Sequence, residues 1–274
     1  MTANWNWKDK DGQSGGLLYE PGNWGDVIKG AWVVRIMGAV QRLGAERGAW
    51  IYRDVFAGAP SYPLTDRTRQ RLGRVGLEAL AAATEGFRTE GLWPSAAAIA
   101  HAVMGPAAGI SYELMDADPA RAAAWRTCSW CEPVEAGNGW EAALETPVSA
   151  RTLLVIDPYD CIAGMEYALP VLRAHADRCS ILLYVYNRSA RDREHLRQYR
   201  AFRSALDAVR RERPMLLGRV PADGFLPSAH HEMVFLPHGD AFPPPAVDAL
   251  RTALEADTLC VDGAIAREGV FPEL

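Results

Sequence analysis

The chain has 274 residues, and 29 basic against 34 acidic side chains leave a formal net charge of −5; 49% of the residues are hydrophobic and 23% charged. That balance excludes a disordered or low-complexity chain, leaves length for a substantial core, and carries no overall basic surplus of the kind that draws a protein to phosphate backbones. The basic residues are almost all arginine: Lys8, Lys10 and Lys29 are the only lysines.

Residues 1–17 read as a polar leader, rich in Trp, Asp and Gly and without the apolar stretch of a signal peptide, so a cytoplasmic location is expected. No run of about 20 apolar residues predicts a membrane span. A helix is predicted over 26–46. Residues 49–56 read as a strand that breaks at Ala57-Gly58-Ala59-Pro60. Helical patterns at 67–90 and 95–104 make the Ala-rich stretch 62–109 a small helical insertion, longer than a simple crossover needs. A second strand at 110–115 runs into Asp116-Ala117-Asp118-Pro119, followed by a helix over 119–126. Asn138-Gly139-Trp140 is a turn by composition. Residues 152–156 form a fully apolar run that ends at Asp157-Pro158. Then come a helix at 161–176, a strand at 181–186, a helix at 190–212, a strand at 233–236, and a stiff Pro243-Pro244-Pro245 turn before a final helix. Continuous apolar strands suit a sheet buried on both faces. The alternation predicts an α/β fold with a mostly parallel, doubly wound sheet in one domain over 18–274.

In such a sheet ligands bind outside the carboxyl ends of the strands. Three candidate strand ends follow. Asp54-Val55-Phe56-Ala57-Gly58-Ala59 offers small residues, Gly58 among them, that let a cofactor approach the backbone. Asp116 is placed to take both hydroxyls of a ribose, or, with Asp118-Pro119, to open a helix. Asp157-Pro158-Tyr159-Asp160 puts a carboxylate after the most apolar strand. The first loop lacks G-x-G-x-x-G, and the chain has no G-x-x-x-x-G-K-[ST], which weakens nicotinamide and P-loop readings. S-adenosylmethionine is the better candidate, because its sulfonium cation needs no phosphate cradle.

Gly22-Asn23-Trp24-Gly25-Asp26-Val27-Ile28-Lys29 resembles a G-N-H-A-D-V-L-K-H motif, and Tyr52-Arg53-Asp54-Val55-Phe56-Ala57-Gly58-Ala59-Pro60-Ser61-Tyr62 resembles Y-L-D-T-H-A-G-A-G-R-Y. Trp93-Pro94-Ser95, Glu113-Leu114-Met115-Asp116, Gly137-Asn138-Gly139-Trp140 and Leu153-Leu154-Val155-Ile156-Asp157-Pro158-Tyr159 continue the order. These motifs are similar to those of the bacterial adenine-N6 methyltransferases acting on large-subunit ribosomal RNA, from about residue 18 to about residue 240. The resemblance implies a Rossmann-like class I methyltransferase fold with a helical insertion after the first strand. It implies cofactor contacts at Ser95, Asp116, Asn138, Gly139 and Asp157, with Lys29 close by. It makes Asp157 the catalytic carboxylate, Pro158 the supplier of a carbonyl, and Tyr159 the aromatic wall of the acceptor pocket. The chain departs from the pattern in having Trp24, Gly30 and Phe56 where the family has histidines, Asn138 where it has an aspartate, and Asp-Pro-Tyr-Asp where it has D-P-P-Y.

Other features fit less defined roles. Residues 188–213 carry nine arginines; Arg193, Arg197 and Arg200 recur at helical spacing and give RNA a possible face, though Asp192, Glu194, Asp207 and Glu212 dilute it toward an ordinary solvated helix. Five cysteines, an odd number, fit reduced thiols. Cys128 and Cys131 lack the further ligands a zinc site needs, so no metal is expected. His230-His231-Glu232 reads as a loop with two surface histidines. The leading expectation is an S-adenosylmethionine-dependent methyltransferase with an adenine amine in RNA as acceptor. A small-molecule acceptor and a non-catalytic cofactor-binding or interaction protein are the alternatives.

Overall fold

The computed structural model describes residues 22–44, 48–73, 77–106, 109–132, 134–158, 161–187, 193–221 and 230–257. Helix α1 (Trp24–Leu43) starts at Asn23, whose side chain accepts the Asp26 amide, and ends at Gly44 with φ +75°. A side-chain oxygen at the first position and a left-handed glycine at the last satisfy backbone groups the helix cannot. Most of α1 is buried, as its nearly all-round apolar sequence requires. Strand β1 (Trp50–Asp54) follows, then β2 (Ser61–Pro63), three short helices α2 (Asp66–Leu72), α3 (Glu78–Ala83) and α4 (Glu85–Thr89), and β3 (Leu92–Pro94), which pairs antiparallel with β2. The helical stretch expected over 67–90 is therefore three pieces; Gly73 ends the first, and Thr84 separates the second from the third.

Helix α5 (Ala96–Met104) leads into β4 (Ile110–Asp116), then α6 (Pro119–Ala124), a 3₁₀ turn over Trp125–Thr127, the two-residue β5 (Glu135–Ala136) and α7 (Gly139–Glu145). Strand β6 (Thr152–Ile156), α8 (Cys161–His175), β7 (Ser180–Asn187), α9 (Arg193–Glu212), β8 (Leu216–Pro221), β9 (His230–Leu236) and α10 (Pro244–Ala256) complete the order. The seven-stranded sheet runs β5-β4-β1-β6-β7-β9-β8. Its first five strands are parallel, and β9 lies antiparallel between β7 and β8.

Alternation along each strand sends side chains to two cores. Trp50, Tyr52, Leu153, Val155, Leu182, Met233 and Phe235 pack with α1, α5 and α10. Val55, Leu154, Ile156, Ile181, Leu183, Val234 and Leu236 pack with α7, α8 and α9. Both faces are thus dry, which is why these strands read as unbroken apolar runs. Two buried charged residues on the face toward α7, α8 and α9 are matched: Arg53 Nε donates to Glu113 on the neighbouring strand (2.7 Å) and its Nη1 to the Pro147 carbonyl (2.7 Å), and Glu232 of β9 accepts the Tyr199 hydroxyl of α9 (2.5 Å).

Candidate active site at the carboxyl edge of the sheet

Strands β4, β1 and β6 are adjacent and parallel, so their carboxyl ends fall on one edge. The chain reverses its direction of growth at β1, first toward β4 and later toward β6, and that is where an open α/β sheet forms a crevice. An aspartate stands at each of the three strand ends: Asp116 and Asp54 close β4 and β1, and Asp157 follows β6.

Asp54 ends β1 on the α1 side, 2% exposed, and accepts the Phe56 amide (3.0 Å). Burial, against the pull of Lys29 and of the Phe56 amide, pushes its carboxyl up to about 7. Asp116 ends β4; Oδ1 accepts the Asp118 amide (2.8 Å), Oδ2 accepts the Gly58 amide (2.9 Å), and Arg121 Nη1 stands 3.5 Å from Oδ2. Asp157 follows β6 and forms an ion pair with Lys29 of α1. Lys29 also donates to Asp26 Oδ1 (3.2 Å), whose Oδ2 accepts the Gly22 amide (2.8 Å). Burial works against the Lys29 ammonium, but the charges of Asp157 and Asp26 and the bond to Asp157 outweigh it, so its pKa lies above the ordinary lysine value. Burial also lifts the Asp157 carboxyl above the usual carboxylate range, and Lys29 limits that rise. The pull of Asp157 and Asp26 holds Lys29 as the ammonium.

The loop between β1 and β2 approaches the crevice with its amides already engaged. Phe56 donates to Asp54, Ala57 to the Met115 carbonyl (2.9 Å), Gly58 to Asp116, and Ala59 to the Tyr62 hydroxyl (2.9 Å). The Gly58 carbonyl accepts the Trp125 indole N–H (2.8 Å). Gly58 has φ +67°, and a Cβ there would run into the Tyr62 hydroxyl, so both backbone and space call for glycine.

The remaining residues singled out from sequence sit around this edge in different ways. Ser95 is buried; its Oγ caps α5 by accepting the Ala98 amide (3.2 Å), and its own amide donates to the Pro60 carbonyl (3.0 Å), tying α5 to the β1 loop. Asn138 is the cap of α7, not simply a turn residue: its Oδ1 accepts the Trp140 amide (3.0 Å). Gly139 lies under the β1 loop, where a Cβ would overlap the Val55 carbonyl and touch the Phe56 ring. The Gly137 amide donates to the Asp116 carbonyl, which brings Asn138 next to the β4 end. Pro158 is buried beside Asp157, and Tyr159 lies outside the described residues.

Sequence reasoning passed over Asp26, Tyr62, Arg121 and Trp125. Asp26 had a local signal, three positions after the capping Asn23 and three before Lys29. The other three are visible only as spatial neighbours of the loop. His231 differs from expectation: it lies on β9, is 7% exposed and meets the Tyr184 hydroxyl at 2.7 Å, because β9 pairs with β7 and carries it inside. Cys128 and Cys131 are half-buried, and burial pushes the Cys131 thiol up to about 11; among the described residues no group of three His, Cys, Asp or Glu is arranged for a metal. No helix among the described residues is long and apolar enough to cross a membrane.

No family model matches the chain, and no curated protein matches it. Among solved structures, protein LPL1258 from Legionella pneumophila str. Philadelphia 1, family-model DUF519, superposes with a TM-score of 0.61 over 87% of this chain and 94% of its own, at 13% identity. The likeness is one of fold: a Rossmann-like, mostly parallel, doubly wound sheet with helices on both faces. A probable spermidine synthase from Corynebacterium glutamicum ATCC 13032 aligns at a TM-score of 0.42 and 10% identity, over 83% of this chain and 70% of that one. TYW2 from M. jannaschii, solved in complex with AdoMet, aligns at a TM-score of 0.36 and 10% identity, over 80% and 76%. These likenesses concern the fold; they do not name a substrate for this chain.

Proposed function

We propose that the carboxyl-edge crevice binds S-adenosylmethionine and that the chain is a methyltransferase. The observation that carries this reading is the loop after β1. Its four successive amides, Phe56 to Ala59, all donate to acceptors within the protein, so the loop offers no N–H cradle to a phosphate. The crevice is instead lined by the carboxylates of Asp54, Asp116 and Asp157, with the Lys29 ammonium on Asp157 and the Arg121 guanidinium beside Asp116. A nucleoside without phosphates and with a positive charge fits that donor set; a dinucleotide or nucleoside triphosphate does not.

In this reading Asp116 takes the ribose hydroxyls. Its two oxygens are pinned by the amides of Gly58 and Asp118, and a carboxylate oxygen has a second lone pair left for such a bond. Ser95, Gly58, Asn138 and Gly139 shape the wall around it. When bound, the cofactor supplies an electrophilic methyl group on a sulfonium. The work of the chain is to make a weak nucleophile attack in line. Asp157 accepts a hydrogen of the acceptor amine and raises electron density on its nitrogen, the Pro158 carbonyl accepts the other, and Lys29 keeps the Asp157 carboxylate ionised and oriented. The acceptor suggested by the family resemblance is an adenine amine in RNA, and the exposed Arg197 and Arg200 on α9 supply phosphate contacts outside the crevice.

Calorimetric titration tests the cofactor. S-adenosylmethionine is expected to bind, ATP and NAD are expected not to compete, and Asp116→Asn is expected to weaken binding about tenfold, the loss of one charge-assisted hydrogen bond. Absence of heat at millimolar cofactor, or displacement by ATP, overturns the reading. For the acceptor, transfer of labelled methyl groups to RNA with affinity that falls as salt rises supports the adenine reading. Transfer confined to small amines replaces it with the small-molecule alternative.

A further inference from the structure

Tyr184, beside Lys29, and His231, bonded to Tyr184, sit on the α1 face of β7 and β9 and have no part in the scheme above. Tyr184 on β7 follows Leu182 on the α1 face, and the pairing Ile156↔Leu183 brings it level with Asp157. Its hydroxyl and Nδ1 of His231 are 2.7 Å apart, and the two rings lie within 24° of parallel. The Lys29 ammonium lies 6.0 Å from the centre of the Tyr184 ring, at the limit of a cation–π contact. One turn before Lys29 stands Gly25, where a Cβ would collide with the Tyr184 hydroxyl. The start of α1 is shaped to let that hydroxyl in.

The placement has a direction. Asp116 and Asn138 lie at the ends of β4 and α7, on one side of the Lys29–Asp157 pair. Tyr184 and His231 lie on the other, toward β7 and β9. With the cofactor at Asp116 and the start of α7, as proposed above, the β7–β9 side faces the acceptor. Lys29 is a long, flexible side chain that bonds two carboxylates, Asp157 and Asp26, so its charge alone does not fix where between them the ammonium rests. An aromatic face fixed on the third side removes the alternatives.

We propose that Tyr184 and His231 form a positioning pair: the hydroxyl–imidazole bond locks the Tyr184 ring beside Lys29 and holds the ammonium on Asp157 at the acceptor side of the crevice. Neither residue touches the reacting atoms. The acceptor-side role rests on the methyltransferase reading, whereas the hold on Lys29 does not.

The scarcity of lysine makes the test direct. Isotope-labelled reductive dimethylation followed by mass spectrometry resolves Lys29 from Lys8 and Lys10, which serve as references in the same chain. Tyr184→Phe keeps the ring and loses the hydroxyl, and His231→Gln removes the imidazole. Each is expected to raise the labelling of Lys29 relative to the references about fivefold, the effect of one ordinary hydrogen bond. The double variant is expected to go no further than the single ones, because all three break the same bond. Phe242→Leu, which loosens the core against Trp50 and Phe235 away from Lys29, controls for general loss of stability and is expected to leave the ratio unchanged. An unchanged ratio in Tyr184→Phe and His231→Gln, or an equal rise in Phe242→Leu, overturns the proposal. In a methyl-transfer assay Tyr184→Phe is expected to lower kcat with the cofactor KM unchanged, and an unaltered kcat overturns the acceptor-side role. A chain that binds no S-adenosylmethionine defeats the methyltransferase reading and leaves the labelling result standing by itself.

Discussion

A carboxyl group buried at the end of a parallel strand makes stability depend on pH. Asp54 ionises near 7 in the folded protein, while in the unfolded chain an aspartate ionises near 4. The folded state therefore holds this proton more tightly. Its contribution to stability is complete below about pH 4 and is lost as pH rises to about 7, after which it is level. Asp54→Asn removes the ionisation. Its stability advantage over the natural chain is expected to grow between about pH 4 and about pH 7, up to about 4 kcal/mol. Urea midpoints across that range check it, and an advantage that shrinks with rising pH contradicts it. Gly58 makes the complementary case. At φ +67° and with the Tyr62 hydroxyl where a Cβ would go, Gly58→Ala is expected to cost at least about 1–2 kcal/mol of stability, and to weaken cofactor binding because the Gly58 amide anchors Asp116.

Helix starts build the rim of the crevice. Asn23, Ser95 and Asn138 each cap a helix, and the three helices begin at the same sheet edge. Residues that the family resemblance associates with cofactor contact thus also do ordinary structural work. Asn138→Ala is expected to destabilise by about 1 kcal/mol, the usual cost of a lost cap. Gly139→Ala is expected to cost more, because the obstruction is the Val55 backbone and not a side chain that can turn away. Thermal unfolding of the two variants ranks them, and the reverse order would show that the β1 loop yields readily. Helix α7 has seven residues, and its composition does not announce it; its cap and its packing against α8 and the Phe56 ring of the β1 loop hold it.

Across the whole molecule, five parallel strands carry the site at one end and a closed apolar core through the middle. Native-state hydrogen exchange is expected to be slowest in β1, β6 and β7, which are paired on both sides, and faster in β5 and β8 at the edges. Equal protection across all seven strands would contradict that order. The positions of β6, β7 and β9 were legible as apolar runs because a strand covered on both faces leaves its mark in nearly every residue, and β1 and β4 were legible from apolar residues that end at an aspartate. Strands β2, β3 and β5 were not, being two or three residues long, and neither was β8 (Leu216–Pro221), an edge strand broken by Gly218 and Arg219. Among the site residues, Asp54, Asp116 and Asp157 were legible because each interrupts an apolar run where a strand must stop. Arg121 and Trp125 were not, because the interactions that give them a role reach from the 3₁₀ turn and α6 to the ends of β1 and β4.

The amino-acid order by itself determined the doubly wound architecture, the acidic ends of its central strands and the helix starts beside them, since periodicity and capping are short-range. It also singled out Lys29 by rarity. Tertiary structure alone decided which charges meet. Lys29 and Asp157 are 128 positions apart, and Tyr184 and His231 are 47 apart. Whether a polar residue is buried with a partner or left in water depends on strand order and register, which set distances that no local pattern encodes. That is why His231 looked like a surface residue in the sequence and is found inside the sheet, and why the loop after β1, read from its small residues as a place where a cofactor approaches the backbone, turns out to have its Phe56 to Ala59 amides engaged within the protein.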